Sequence, residues 1–109
     1  MAFDDNLAAR VRRALDKRPD VEEKQMFGGL AFMIRGHMAV GIVKSTLMVR
    51  VDAASESQLL EEPHVRPMDF TGRPMKGLVW VDAAGIRDAR TLRRWIQRGL
   101  DFAGSLPAK

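Results

Sequence analysis

The run MFGGLAFMIRGHMAVGIVKSTLMVRV, residues 26–51, decides how this chain folds. Large apolar residues fill it, with two turn-like interruptions at Arg35-Gly36 and Lys44-Ser45. Glycine takes a positive φ at little cost, so Arg35-Gly36 reads as a tight reversal between antiparallel strands. The spacing predicts strands over about Gln25 to Ile34, Met38 to Val43 and Leu47 to Val51. In the last of these Leu47, Val49 and Val51 alternate with Met48 and Arg50, the period of a strand with one face in a core. Such a meander leaves no place for crossover helices, so the sheet is expected to be antiparallel.

The adjacent Gly28 and Gly29 pose a second question, whether they cradle a phosphate. A phosphate loop needs glycines that open a helix, at the spacing G-x-x-x-x-G-K-[ST] or G-x-G-x-x-G. Here Leu30 to Ile34 continue as strand, and neither spacing is met. The glycines are expected to make a bulge or a close backbone approach near the start of the first strand.

Helical periodicity flanks this sheet. Leu7, Ala8, Val11, Ala14 and Leu15 form an apolar stripe, so a helix is expected from about Asp5 to Arg18. Asp4, Asp5 and Asn6 can cap its start, and Pro19 stops it. A short helix over Ser55 to Glu62 ends at Pro63, and strands follow over about Val65 to Phe70 and Lys76 to Val81, joined by a turn at TGRP. Asp88 caps a last helix over Ala89 to about Ala103, with Gly104 as its stop and Leu92, Trp95, Ile96, Gly99 and Ala103 as its buried stripe. The expected order is α-β-β-β-α-β-β-α, a two-layer α+β domain with helices on one face of an antiparallel sheet. The segments AFMI and LVWV are apolar on both strand faces, which predicts a homodimer that covers the second face.

Composition narrows the function class. A chain of 109 residues with 46% hydrophobic and 29% charged residues is one globular domain, residues 1–109. It has no cysteine, no signal-peptide pattern at its start and no apolar run of membrane-spanning length, so a cytoplasmic protein is expected. The net charge of +4 is spread over two helix faces. Arg10, Arg13 and Lys17 mark the first, and Arg87, Arg90, Arg94 and Arg98 the second. These faces are candidates for nucleic acid or an acidic partner, set against the ordinary solvated outer face of a helix. Trp95 belongs to the buried stripe and tyrosine is absent, so no platform for stacking bases is expected.

Catalytic and metal chemistry find no foothold. His37 and His64 read as exposed loop residues, and without cysteine only carboxylates could complete a zinc site. None of Ser45, Ser55, Ser57 and Ser105 sits in a G-x-S-x-G context. Glu22-Glu23 and Glu61-Glu62 are adjacent pairs whose side chains diverge, unlike an acid–base couple. The residues point to no enzyme, no cofactor and no metal.

The segment KQMFGGLAFMIRGHMAVGI resembles the N-terminal domain of the TfoX/Sxy family, whose mark is a basic residue, one variable position and then M-F-G-G. Lys24, Met26, Phe27, Gly28 and Gly29 match it, with Lys24 where the family usually has Arg. The resemblance continues through LMVRVD, RPMDFTGRPMKG, VWVD and the Trp-bearing last helix, covering about Val21 to Ala103. It implies an α+β fold of the secretion-chaperone-like type, in agreement with the order above. The founding members regulate natural competence, act with the transcription machinery and carry a second, C-terminal domain. This chain resembles the stand-alone single-domain branch. The resemblance therefore implies a regulatory or protein-interaction role, with the transcription machinery as a candidate partner, and supplies no catalytic residue.

Overall fold

The computed structural model describes residues 3–15, 18–26, 28–69 and 74–107. Its elements are α1 (Asp5–Ala14), β1 (Val21–Met26), β2 (Gly29–Ile34), β3 (His37–Val43), β4 (Thr46–Arg50), α2 (Glu56–Leu59), β5 (Val65–Asp69), β6 (Pro74–Val81), a 3-10 turn (Ala83–Gly85) and α3 (Ala89–Ser105). The six strands form one sheet in the order β1-β2-β3-β4-β6-β5, with every pairing antiparallel. The fold is α+β, as expected.

One expectation about the order is corrected. The long first strand is two, because Met26 pairs with Gly29 and the chain reverses between them, Gly28 sitting at φ 73°. β1, VEEKQM, escapes a search for apolar alternation because it is an edge strand that keeps charge on its exposed positions. The other reversals fall where the turn residues put them. Arg35 and Gly36 both take positive φ, and Lys44 at φ 54° closes the two-residue turn between Val43 and Thr46. Helix ends also move. α1 stops at Ala14 rather than Arg18, α2 is a single turn after Ser55, and α3 runs through Gly104 to Ser105. The TGRP turn and the end of the strand at Phe70 lie largely outside the described residues.

The caps are those that the sequence offers. Asp4 accepts from the backbone N–H of Asn6 and Leu7, and Asp88 accepts from that of Thr91. α1 and α3 lay their stripes on one face of the sheet. Leu7 and Val11 join Leu92, Trp95, Ile96 and Leu100 over Phe32, Val40, Ile42, Leu47, Val49, Val79 and Val81 in a single core. A bulge after Phe32 shifts the β2–β3 register and brings Ala39 into that core beside Val40. Gly99 of α3 sits directly over the Ala39 carbonyl, where a Cβ would overlap it. That absence of a side chain is what lets α3 lie so close to β3.

The opposite face of the sheet is apolar too. Ala31 and Met48 are fully buried yet stand outside the helix-side core cluster. Strand alternation puts them on the other face with Gly41 and with the half-buried Met33, Met38, Val43, Leu78 and Trp80. The described helices all pack on the first face, α2 through Leu59 beside the same core.

Candidate functional site

Gly28 and Gly29 serve the backbone. Gly28 holds the positive φ of the β1–β2 reversal. A Cβ on Gly29 would run into the Ile42 carbonyl and stand 3.0 Å from Val43 Cγ2, so this residue lets β2 and β3 approach. The expected close approach is therefore present at a strand's beginning, since Gly29 opens β2 after the β1–β2 reversal. Lys24 is exposed on β1, where it pairs with Ala31, and Met26 pairs with Gly29. Phe27, the remaining member of the motif, lies outside the described residues.

The basic residues divide by what holds them. Arg10 is not a free surface charge, since one guanidinium nitrogen donates to the carbonyls of Ile86 at 2.6 Å and Arg87 at 3.1 Å. It ties α1 to the segment that leads into α3. Arg98 is not free either. It lies 3.2 Å from a carboxylate oxygen of Glu62 and 4.5 Å over the Trp95 ring, and it lines a cavity of about 350 Å³ between α2 and α3 with Val51, Leu59, Asp101 and Phe102. The helical step of three and four that joined Arg98 to Arg94 carries it over the crest of α3 to the α2 side. Lys17 lies outside the described residues.

Arg13, Arg87, Arg90 and Arg94 are exposed, as expected, and Arg93 joins them. Among the described residues none of these five makes an ion pair. Arg10, Arg13 and Arg93 share a shallow groove between α1 and α3 with Ala14, Ala89 and Leu92. The two basic helices of the sequence thus meet at Arg13 and Arg93, with Arg87, Arg90 and Arg94 exposed nearby in the chain. Neighbouring carboxylates are engaged elsewhere: Asp88 caps α3, and Asp101 accepts from Gln97. Arg93 gave a weak signal in the sequence because it leaves the stripe through Arg90 and Arg94. Only the seating of α1 beside α3 turns it toward Arg13.

Other charges are paired along the sheet. Arg12 grips both Glu23 oxygens at 2.8 to 3.1 Å, fastening α1 to β1, and this hydrogen bonding raises the guanidinium's proton affinity. Arg66 grips Asp82 in the same bidentate way, and those bonds hold the Asp82 carboxyl below the ordinary carboxylate range. Arg18 lowers the carboxyl of Asp20 by its side-chain hydrogen bond.

The histidines part company. His64 is exposed, as expected, but His37 is buried at the start of β3, its Nε2 donating to the Pro107 carbonyl at 2.7 Å. The loop reading fails there because β3 begins one residue earlier than the apolar pattern suggests. Among the described residues no group of three or more His, Asp or Glu is placed to hold a metal ion. No described helix is long and apolar enough to cross a membrane.

Two surfaces stand out among the described residues, the exposed arginines of α1 and α3 and the sheet face on which no described helix packs. Comparison with known families matches residues 13–103 to the TfoX N-terminal domain. Comparison with curated proteins and with solved structures gives no significant match.

Proposed function

Since the chain belongs to the TfoX N-terminal domain family, we propose that it is a non-enzymatic regulatory module that works by protein contact through its helix-free sheet face, with a second copy of itself as first partner. The observation that carries this reading is the apolar character of that face. Met33, Met38, Val43, Leu78 and Trp80 surround the buried Ala31 and Met48, with only the half-buried Thr46 and Arg50 of β4 as polar residues within the described part of this patch. Flexible thioethers suit a surface that must adapt to another. A two-fold copy also finds complementary charge. Glu22 and Lys24 rim the face on β1, and Arg66 with Asp82 rims it beside β6. Six strands give a face of about 24 by 20 Å, the size of a weak, transient contact. Micromolar self-association is the expectation.

His37 is held by Pro107 and Asp82 by Arg66, so two of the groups that could do chemistry have structural partners, which supports a binding role over a catalytic one. A component of the transcription machinery is the further partner this reading names. Sedimentation analysis tests the first step. The wild-type chain is expected to dimerise between about 1 and 100 µM, and Met38→Glu to remain monomeric with an unchanged circular dichroism spectrum. A wild-type chain that stays monomeric through high micromolar concentration would overturn the proposal.

A further inference from the structure

We infer that the ridge formed by Arg13, Arg87, Arg90, Arg93 and Arg94 binds the phosphate backbone of a nucleic-acid duplex without reading its sequence. The ridge belongs to the helix layer, on the other side of the sheet from the face discussed above, so the inference stands apart from that reading. It rests on three observations. The five guanidinium groups are exposed and, among the described residues, unpaired, while Arg10, Arg12, Arg18, Arg66 and Arg98 all have carboxylate or carbonyl partners. Structural demand therefore explains one set of arginines and leaves the other without a duty in the fold.

The geometry is the second observation. Two neighbouring helices bring Arg13 of α1 and Arg93 of α3 to one groove, while Arg90 and Arg94 stand exposed on α3 and Arg87 just ahead of it. From Arg90 to Arg94 the rise along α3 is roughly 6 Å, which spans about three or four phosphate charges of a duplex axis. The guanidinium fork matches phosphate oxygens in a bidentate way that an ammonium cannot.

The third observation selects among polyanions. The exposed positions of α1 and α3 hold Asp, Asn, Ala, Arg, Gln and Ser, with no aromatic or large aliphatic residue. A surface without aromatic side chains cannot stack unpaired bases, which disfavours single strands. Without apolar anchors it cannot bury itself in a lipid interface. A specific acidic protein would need an apolar centre to its contact, and the ridge has none. A duplex backbone asks only for charge and reach.

Fluorescence anisotropy with a labelled 20-base-pair duplex of arbitrary sequence tests this. Five neutralised phosphates give a slope of roughly −4.5 in log affinity against log salt, so binding should weaken about 500-fold from 50 to 200 mM KCl. Arg90→Gln should flatten the slope by about 0.9, and Arg13→Gln, Arg87→Gln, Arg93→Gln and Arg94→Gln added to it should abolish it. Arg35→Gln removes the same charge about 20 Å away along α3, beside Gly104, and should leave the slope unchanged. All substituted positions are exposed, and retention of the native circular dichroism spectrum confirms that each variant is folded. Undetectable duplex binding at 50 mM KCl overturns the inference. So does a slope that Arg35→Gln flattens as much as Arg90→Gln does. Equal or tighter binding of a 20-nucleotide single strand, of polyglutamate or of phosphatidylserine vesicles, with the same arginine dependence, also overturns it.

Discussion

Gly99→Ala offers a sharp test of how α3 sits on the sheet. In a helix interior this change normally adds about 1 kcal/mol of stability, because alanine restricts the unfolded chain and favours the helix. Here the new Cβ would overlap the Ala39 carbonyl and stand 2.9 Å from Val40 Cγ1. Clearing the valine alone requires an outward shift of about 0.6 Å, and the carbonyl is backbone that cannot rotate away. A radial gap of that size forfeits a quarter or more of the dispersion contacts that Leu92, Trp95, Ile96 and Leu100 make with the strands. Overpacking of this kind costs about 3 kcal/mol at its upper range, which leaves a net loss of about 2 kcal/mol after the helix gain. For a domain of this size that is roughly a 10 °C fall in Tm. Gly104→Ala is the internal control on the same helix. Its Cβ would meet Ile34 Cδ1 at 3.8 Å, an ordinary contact, so stability should rise by about 0.5 kcal/mol. Urea unfolding and thermal melts of both variants read the two signs directly. A Gly99→Ala protein as stable as the wild type would refute the account of α3 packing.

Two further outcomes follow from paired side chains. Arg10→Gln should lower stability by about 1–2 kcal/mol in urea titrations, since the Ile86 and Arg87 carbonyls lose a charged donor, whereas Arg13→Gln should stay within about 0.5 kcal/mol of wild type. Asp82→Asn should be destabilising at neutral pH by less than about 1 kcal/mol, because the Arg66 pair is exposed. Its pH dependence has a fixed sign. The folded carboxyl titrates below its unfolded value, so the unfolded chain binds more protons in between, and the pair's contribution is complete above about pH 4–5. As pH falls through the lowered folded value the contribution disappears. The gap between wild type and Asp82→Asn should therefore close in acid, as read from stability measured from pH 7 to 2.5.

Much of the fold was legible because its signals are local. Gly36 supplies the positive φ of one reversal, the polar pair Lys44-Ser45 marks another between two apolar runs, and Asp4 and Asp88 cap helices through N–H groups two or three residues away. The β1–β2 hairpin was not legible. Its strand VEEKQM has no apolar period, and only pairing with β2 makes it a strand. The basic surface was half legible. Residue type and helical spacing found Arg13, Arg90 and Arg94, while Arg93 lay off the stripe, and Arg10 and Arg98 look equally free in one dimension.

By itself, then, the sequence determined the class of fold, the caps, most of the turns and the family, since each depends on neighbours within a few residues. The tertiary structure decided which charges are spent and which are available. Arg10 finds its carbonyls 76 and 77 residues away, and Arg98 meets Glu62 from another element. Such partners are set by how α1, α2 and α3 seat on the sheet, and that seating depends on the space left by Gly99 over Ala39. Hydrogen bonds and ion pairs are short-ranged in space but indifferent to sequence distance, so only the packed chain separates the arginines that hold the fold from those that face outward.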